Sequence, residues 1–254
     1  MTPRTPATDT VSRAPEAPTA NVEAASRASE SAPLDRVMLA WLTLALVGLG
    51  GFAAITILFL NGWIPAFDRP LLDGARQWQN LAPLWRVISE SANIPLIVIG
   101  VGMVLVLFFT KHRREAVLVA LILIAITAGS EAVKQLVHRD RPSGTDPNIP
   151  GVVYSFPSGH VLEALAIFGM LAIRAVRSHI PQLLAGLIVL AVLIEVDLVA
   201  LARVALAAHW PSDTIASYIG GLGVLGVYGL FTHRAGASVA ADPGAADVGS
   251  GPGR

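Results

Sequence analysis

The 254-residue chain is 54% hydrophobic and only 14% charged, whereas about a quarter of a soluble domain is charged, so a membrane protein is the first expectation. Its 18 basic and 18 acidic residues cancel, leaving no global field to gather nucleic acid, and its lack of cysteine excludes disulfides, thiolate metal sites and cysteine nucleophiles.

Residues 1–33 are rich in Ala, Pro, Ser, Thr and Glu and lack apolar periodicity. Such a stretch cannot bury enough surface to offset ordering entropy and is expected to be a disordered cytoplasmic tail. The first apolar run, 37–60, starts too late and runs too long for a signal core and reads as a retained span. Five more follow at 94–110, 116–133, 161–176, 183–201 and 214–232. Each approaches the ~20 residues that cross a ~30 Å hydrocarbon core. The expected fold is an all-α polytopic membrane bundle of about six helices, one domain over 34–234, with a second tail at 235–254.

Lys and Arg gather on the cytoplasmic side of short connections. Lys111, Arg113 and Arg114 fill one turn, Arg174 and Arg177 another, and Arg234 follows the last span. With both termini cytoplasmic, all three clusters face inward. The opposite loops also carry Lys134, Arg139, Arg141 and Arg203, which weakens the bias unless a site holds them. Trp63, Trp78, Trp85 and Trp210 fit interfacial belts.

Three segments are unusually polar: 134–142, 156–160 and 203–213. The first two flank one loop between the third and fourth spans, and the third lies between the fifth and sixth. Two crossings separate these loops, so they emerge on one face and can share a site. Lys134, Arg141 and Arg203 supply positive charge, while Ser158 and the amides near Gly159 supply donors at a helix start. That combination suits an anion with several oxygens, phosphate first. His209 and Asp213 stand four apart, on one helical face or across a tight loop. A carboxylate accepting from one ring nitrogen fixes the tautomer that offers the other as nucleophile. His160, from the other loop, is the candidate general acid.

These residues resemble the signature of the type 2 phosphatidic acid phosphatase superfamily, which includes membrane lipid phosphate phosphatases and is related to vanadium haloperoxidases. Lys134 precedes Arg141-Pro142 by six intervening residues, Pro157-Ser158-Gly159-His160 follows, and Arg203, His209 and Asp213 complete the third part. Ala202 stands where the family usually has serine. The resemblance runs over roughly 115–231 and implies a phosphohistidine at His209, oriented by Asp213, with His160 protonating the leaving group. Lys134, Arg141, Ser158, Gly159 and Arg203 would bind phosphate, with no metal or cofactor. The implied partners are the bilayer and a lipid phosphate or isoprenoid diphosphate. Undecaprenyl diphosphate leads; phosphatidylglycerol phosphate, phosphatidic acid and a lipid A phosphate are alternatives. The site would face the non-cytoplasmic side of the cell membrane.

Taken singly, Lys134, Arg139 and Arg141 also read as helix-end anchors, His160 as a hydrogen-bonded interface residue and Ser158 as an N-cap. A metal held by His160, His209 and Asp213 has suitable ligands but meets three opposing cations. Transfer of phosphate to a lipid hydroxyl, and a binding protein without turnover, are the other classes. Glu131, Glu163, Glu195 and Asp197 lie in or near spans, where charge is costly, and are expected to pair or to line an entry rather than to catalyse.

Overall fold

The computed structural model describes residues 36–146 and 154–240. The expected N-terminal tail lies outside them, as do residues 241–254. Helix α1 is Arg36–Leu60, α2 is Asp68–Arg76, and a 3-10 turn at Gln79–Leu81 leads into α3, Ala82–Ser91. Helices α4 (Ile94–Phe109), α5 (Arg113–Val137), α6 (Gly159–Arg177), α7 (Gln182–Ala205) and α8 (Pro211–Ala240) follow. Six segments are long and apolar enough to cross a membrane, with the 3-10 turn, α3 and α4 counting together as Gln79–Phe109. The described residues contain no strand. The last helix continues to Ala240, into the stretch expected as a C-terminal tail.

Helices α6 and α8 form the centre: 50% and 56% of their apolar windows are buried, against 17% for α7. Their inner faces meet α4, α5 and α7 through Leu96, Val119, Val161, Met170, Val199 and Tyr228. Outward faces carry exposed Leu46, Ile57, Ile97, Phe109, Leu187 and Ile194, the surface that lipid would cover. Within hydrocarbon such side chains lose nothing by facing out, so packing relies on close fit. Helix α1 fits α8 along a seam of small residues. A Cβ on Gly48 would stand 2.3 Å from the Gly223 nitrogen, and one on Gly226 would stand 2.3 Å from that of Ala45. The backbones therefore touch where a larger residue would force them apart.

The two ends of the bundle differ in chemistry. At one, Arg174 pairs with Glu115 at 2.6 Å, the Tyr228 hydroxyl donates to Glu115 at 2.5 Å, and Arg177 donates to Thr232 and lies over Trp41. These contacts tie α1, α5, α6 and α8 beside two of the basic clusters. The other end gathers the close of α5 and α7, the starts of α6 and α8, and helix α2, which is too short to cross a bilayer. Leu72 and Ala75 of α2 pack on Val204 and Ala207, while Leu71 faces out.

Trp85 departs from the expected interfacial belt. It is buried against Ala202, Ala205 and Leu206, and its indole N–H donates to the Trp78 carbonyl at 2.9 Å. Ala202, fully buried there, replaces the usual serine with a side chain that fits an apolar contact.

Candidate active site

Four helix ends build the site. Helix α5 delivers Lys134 in its last turn and closes at His138, whose φ of 51° is left-handed. That closure sends Arg139, Asp140 and Arg141 across the end of the bundle. The loop is fastened to the segment after α7: Asp146 N donates to the Leu206 carbonyl at 3.1 Å, the Thr145 hydroxyl to that of Ala207 at 2.9 Å, and Arg141 Nη1 to that of Ala208 at 2.9 Å.

Helix α7 ends in a hook. Ala207 takes a φ of 50°, and the amides of Ala208 and His209 both donate to the Arg203 carbonyl, at 3.0 and 3.2 Å. Such closures satisfy the last carbonyls of a helix. Here the hook folds His209 back over Arg203. Arg203 is 5% exposed; its Nη1 donates to Ser89 Oγ at 2.8 Å, and its Nε is buried without a partner among the described residues.

Ser158 precedes α6 but does not cap it with its side chain. Its amide donates instead to Ser217 Oγ at 2.9 Å, and Ser217 Oγ donates to the Asp213 carbonyl at 2.8 Å. The Ser158 hydroxyl is buried with no partner among the described residues. A Cβ on Gly159 would lie 3.9 Å from Lys134 Nζ, so the start of α6 lies beside the ammonium. His160 is half-buried, and Lys134, Arg141, Arg203 and His209 are all near enough to act on its charge. Two buried orphan polar atoms, a helix N-terminus and three cations thus gather around His160 at one end of the bundle. Buried polar atoms are rarely left unmatched, and a set of donors and cations of this kind suits an oxyanion.

His209 is 2% exposed. Its Nδ1 lies 2.5 Å from the Ser155 carbonyl oxygen and 3.7 Å from Asp213 Oδ2. A carbonyl only accepts, so Nδ1 carries the proton and the lone pair is on Nε2. The sequence reading made Asp213 the acceptor; the structure gives that contact to a backbone carbonyl, which no side-chain motif encodes. Burial pushes the His209 pKa well below the ordinary 6.5, Arg203 and Arg141 push it further, and the Ser155 carbonyl opposes them. The ring is neutral near pH 7. Burial also lowers Arg141, while Asp213 raises it.

Asp213 sits in the first turn of α8, where its Oδ2 accepts from the Trp210 amide at 2.9 Å, the carboxylate half of a capping box. Its Oδ1 accepts from Arg139 Nη1, a partner the sequence reading treated as a helix-end anchor. Arg139 Nη2 donates to Asp68 Oδ2 at 2.6 Å, and the guanidinium lies 4.2 Å from the centre of the Phe59 ring. Asp68, 1% exposed, also accepts from the Ser212 amide at 2.8 Å and hydroxyl at 2.6 Å. Sequence reading missed it; its one signal was a carboxylate two residues before Pro70, opening a short amphipathic stretch.

The four intramembrane carboxylates have protein partners: Glu131 with Lys134 and Gln135, Glu163 with Thr127, Glu195 with Ser91 and Asp197 with Tyr218. Glu131 and Glu163 edge a cleft of about 510 Å³ among α4, α5 and α6, otherwise walled mainly by apolar residues including Leu96, Val101, Leu123 and Ile167. A second, outward cavity of about 460 Å³ lies against Asp68, Arg69, Arg139 and Trp210. Among the described residues no three of His, Asp and Glu come together as metal ligands; the Asp213 carboxylate is committed to Arg139 and the Trp210 amide.

Residues 114–235, which carry Lys134, Arg139, Arg141, Ser158, His160, Arg203, His209 and Asp213 but neither Asp68 nor Ser89, match the sequence profile of the PAP2 superfamily. This stretch, a little under half of the chain, is similar to the PAP2 superfamily. A relative named phosphatidylglycerophosphatase B, from Bacillus subtilis (strain 168), is 31% identical over 144 residues, 53% of this chain and 64% of its own length. The chain thus matches less than two thirds of that relative. The fold is similar to the crystal structure of a transmembrane PAP2-type phosphatidylglycerolphosphate phosphatase from Bacillus subtilis, with a TM-score of 0.59 and 18% identity, over 74% of this chain and 97% of that one. The PAP2 fold and the six apolar helices make this a multi-pass membrane protein.

Proposed function

We propose that the chain is a lipid phosphatase that cleaves phosphate through His209 on the non-cytoplasmic face, without a metal. The observation that carries the reading is that Ser158 Oγ and Arg203 Nε, both buried and unpartnered among the described residues, lie at the same end of the bundle as Lys134, the start of α6 and the His209 ring. Neutral Nε2 attacks phosphorus as the bond to the leaving oxygen breaks, and protonated His160 gives its proton to that oxygen. The bound phosphate's own negative charge favours the imidazolium form needed for this step. Water then attacks phosphorus, His160 takes its proton, the P–N bond breaks and phosphate departs. Lys134, Arg141, Arg203, Ser158 and the Gly159 amide bind the oxygens, and the Asp213 carboxylate stabilises positive charge on the ring.

The apolar cleft beside Lys134 supports a lipid rather than a soluble ester. The name of the Bacillus relative puts phosphatidylglycerol phosphate first among substrates, ahead of the undecaprenyl diphosphate that the sequence favoured. The cation clusters at the opposite end of the bundle support cytoplasmic termini and an outward site.

The test is phosphate release in detergent, with a chelator present, from phosphatidylglycerol phosphate, undecaprenyl diphosphate and phosphatidic acid, comparing the intact protein with His209→Ala. Release by the intact protein alone is expected, fastest from the first substrate. Equal release by His209→Ala refutes the histidine mechanism, and loss on chelation refutes metal independence. Phosphate found on an acceptor lipid instead of in solution indicates phosphotransfer.

A further inference from the structure

Arg139 lies outside the set of residues assigned to phosphate, and Asp68 lies on a helix outside the six spans, yet the two are joined to each other and to Asp213. We propose that Asp68 and Arg139 are a positioning pair: Arg139 holds the Asp213 carboxylate beside His209, and Asp68 offsets the Arg139 charge so that the carboxylate stays effective towards the imidazole. The proposal rests on His209 being the nucleophile.

The geometry argues for both halves. Asp213 Oδ2 is 3.7 Å from His209 Nδ1, too long for a hydrogen bond, so its influence on the ring is electrostatic and depends on net charge nearby. Arg139 alone would cancel that charge. Asp68, paired with Arg139 at 2.6 Å and almost fully buried, brings the three-residue cluster back to a net charge of minus one. Asp68 also takes the Ser212 amide and hydroxyl, which fixes the start of α8 from which Asp213 projects. The Phe59 and Trp210 rings flank the guanidinium, limiting its swing and the water that reaches it.

Other charges face His209 as well. Lys134 comes from α5, His160 from α6, Arg203 from α7 and Arg141 from the connecting loop; Glu90 of α3 acts on Arg203. All of these are untouched by changes at positions 68 and 139. Asp68→Asn keeps the shape and leaves the cluster neutral, disfavouring the imidazolium. Arg139→Gln leaves it at minus two, favouring the imidazolium. The combined variant restores minus one.

The experiment uses full-length protein in detergent with phosphatidylglycerol phosphate, measuring kcat, KM, the pH dependence of kcat/KM and the thermal unfolding midpoint. Each single variant is expected to lose kcat by between about 10-fold and 100-fold, the scale of a misplaced catalytic group, with KM within about two-fold. The acid limb of the pH profile moves to lower pH in Asp68→Asn and to higher pH in Arg139→Gln, and returns towards the native position in the combined variant. Arg139→Lys, keeping the charge, recovers the native limb. A limb that stays put, or moves the same way in both single variants, overturns the proposal. So does activity lost only in proportion to folded protein. Should Arg139→Gln not fold, Asp68→Asn and Arg139→Lys still decide between these outcomes. Turnover surviving in His209→Ala would instead bring down the mechanism beneath the proposal.

Discussion

The hydroxyl of Ser158 separates stability from function. It is buried without a partner among the described residues, and an unmatched buried polar group costs about 1–3 kcal/mol. Ser158→Ala should therefore leave the unfolding midpoint unchanged or raised while KM for the lipid phosphate rises several-fold, about as expected for losing one charge-assisted hydrogen bond. A falling midpoint would mean that the hydroxyl is held by protein. For His209, a pKa pushed down from 6.5 means that the neutral form, the one the proposed attack needs, persists as the medium is acidified. The limb of kcat/KM that belongs to this ring should thus lie below pH 6.5, and replacing Arg141 with Met, which removes one of the charges pushing it down, should move that limb upward. At this scale the sequence was most legible where spacing is local: Lys134 to Arg141, Pro157 to His160, Arg203 to Asp213. It was silent on the Ser155 carbonyl because every residue has one, and on Arg139–Asp68 because the partners are 71 positions apart.

Helices differ in how much of their purpose shows in composition. The six apolar segments were visible because hydrocarbon imposes length and hydropathy on any crossing helix. Helix α2 was not, since nine residues with Leu71, Leu72 and Ala75 as their apolar positions give too few repeats to establish a period. Helix α3 was missed because Ser89, Glu90 and Ser91 interrupt its apolar pattern; Ser89 is there for Arg203 and Ser91 for Glu195. The α1–α8 seam gives an element-level prediction. In Gly223→Ala the new methyl would stand 2.5 Å from the Leu49 nitrogen, so the two backbones must part, at a cost of about 1–3 kcal/mol. Gly50→Ala, with nothing within 4 Å, should be neutral or stabilising by up to about 1 kcal/mol. Thermal unfolding in detergent compares them; equal midpoints would show that the seam does not govern stability.

For the molecule as a whole, an even number of crossings and a site at one end of the bundle make orientation the decisive property. With no native cysteine, Ser143→Cys and His112→Cys each give a single thiol at an exposed position. An impermeant maleimide applied to intact cells should label the first and spare the second until the membrane is opened. Labelling of both, or of His112→Cys alone, would invert or break the six-span arrangement.

The seam between α1 and α8 also orders events during synthesis. A ribosome working at ~5–20 residues per second leaves α1 in the bilayer for on the order of ten seconds before its partner is made. Throughout that interval the Gly48 face has only lipid or a foreign helix to touch, and Phe59 waits without the Arg139–Asp213 contact that it will flank. The first segment inserted thus gains its closest backbone partner only when the last one arrives.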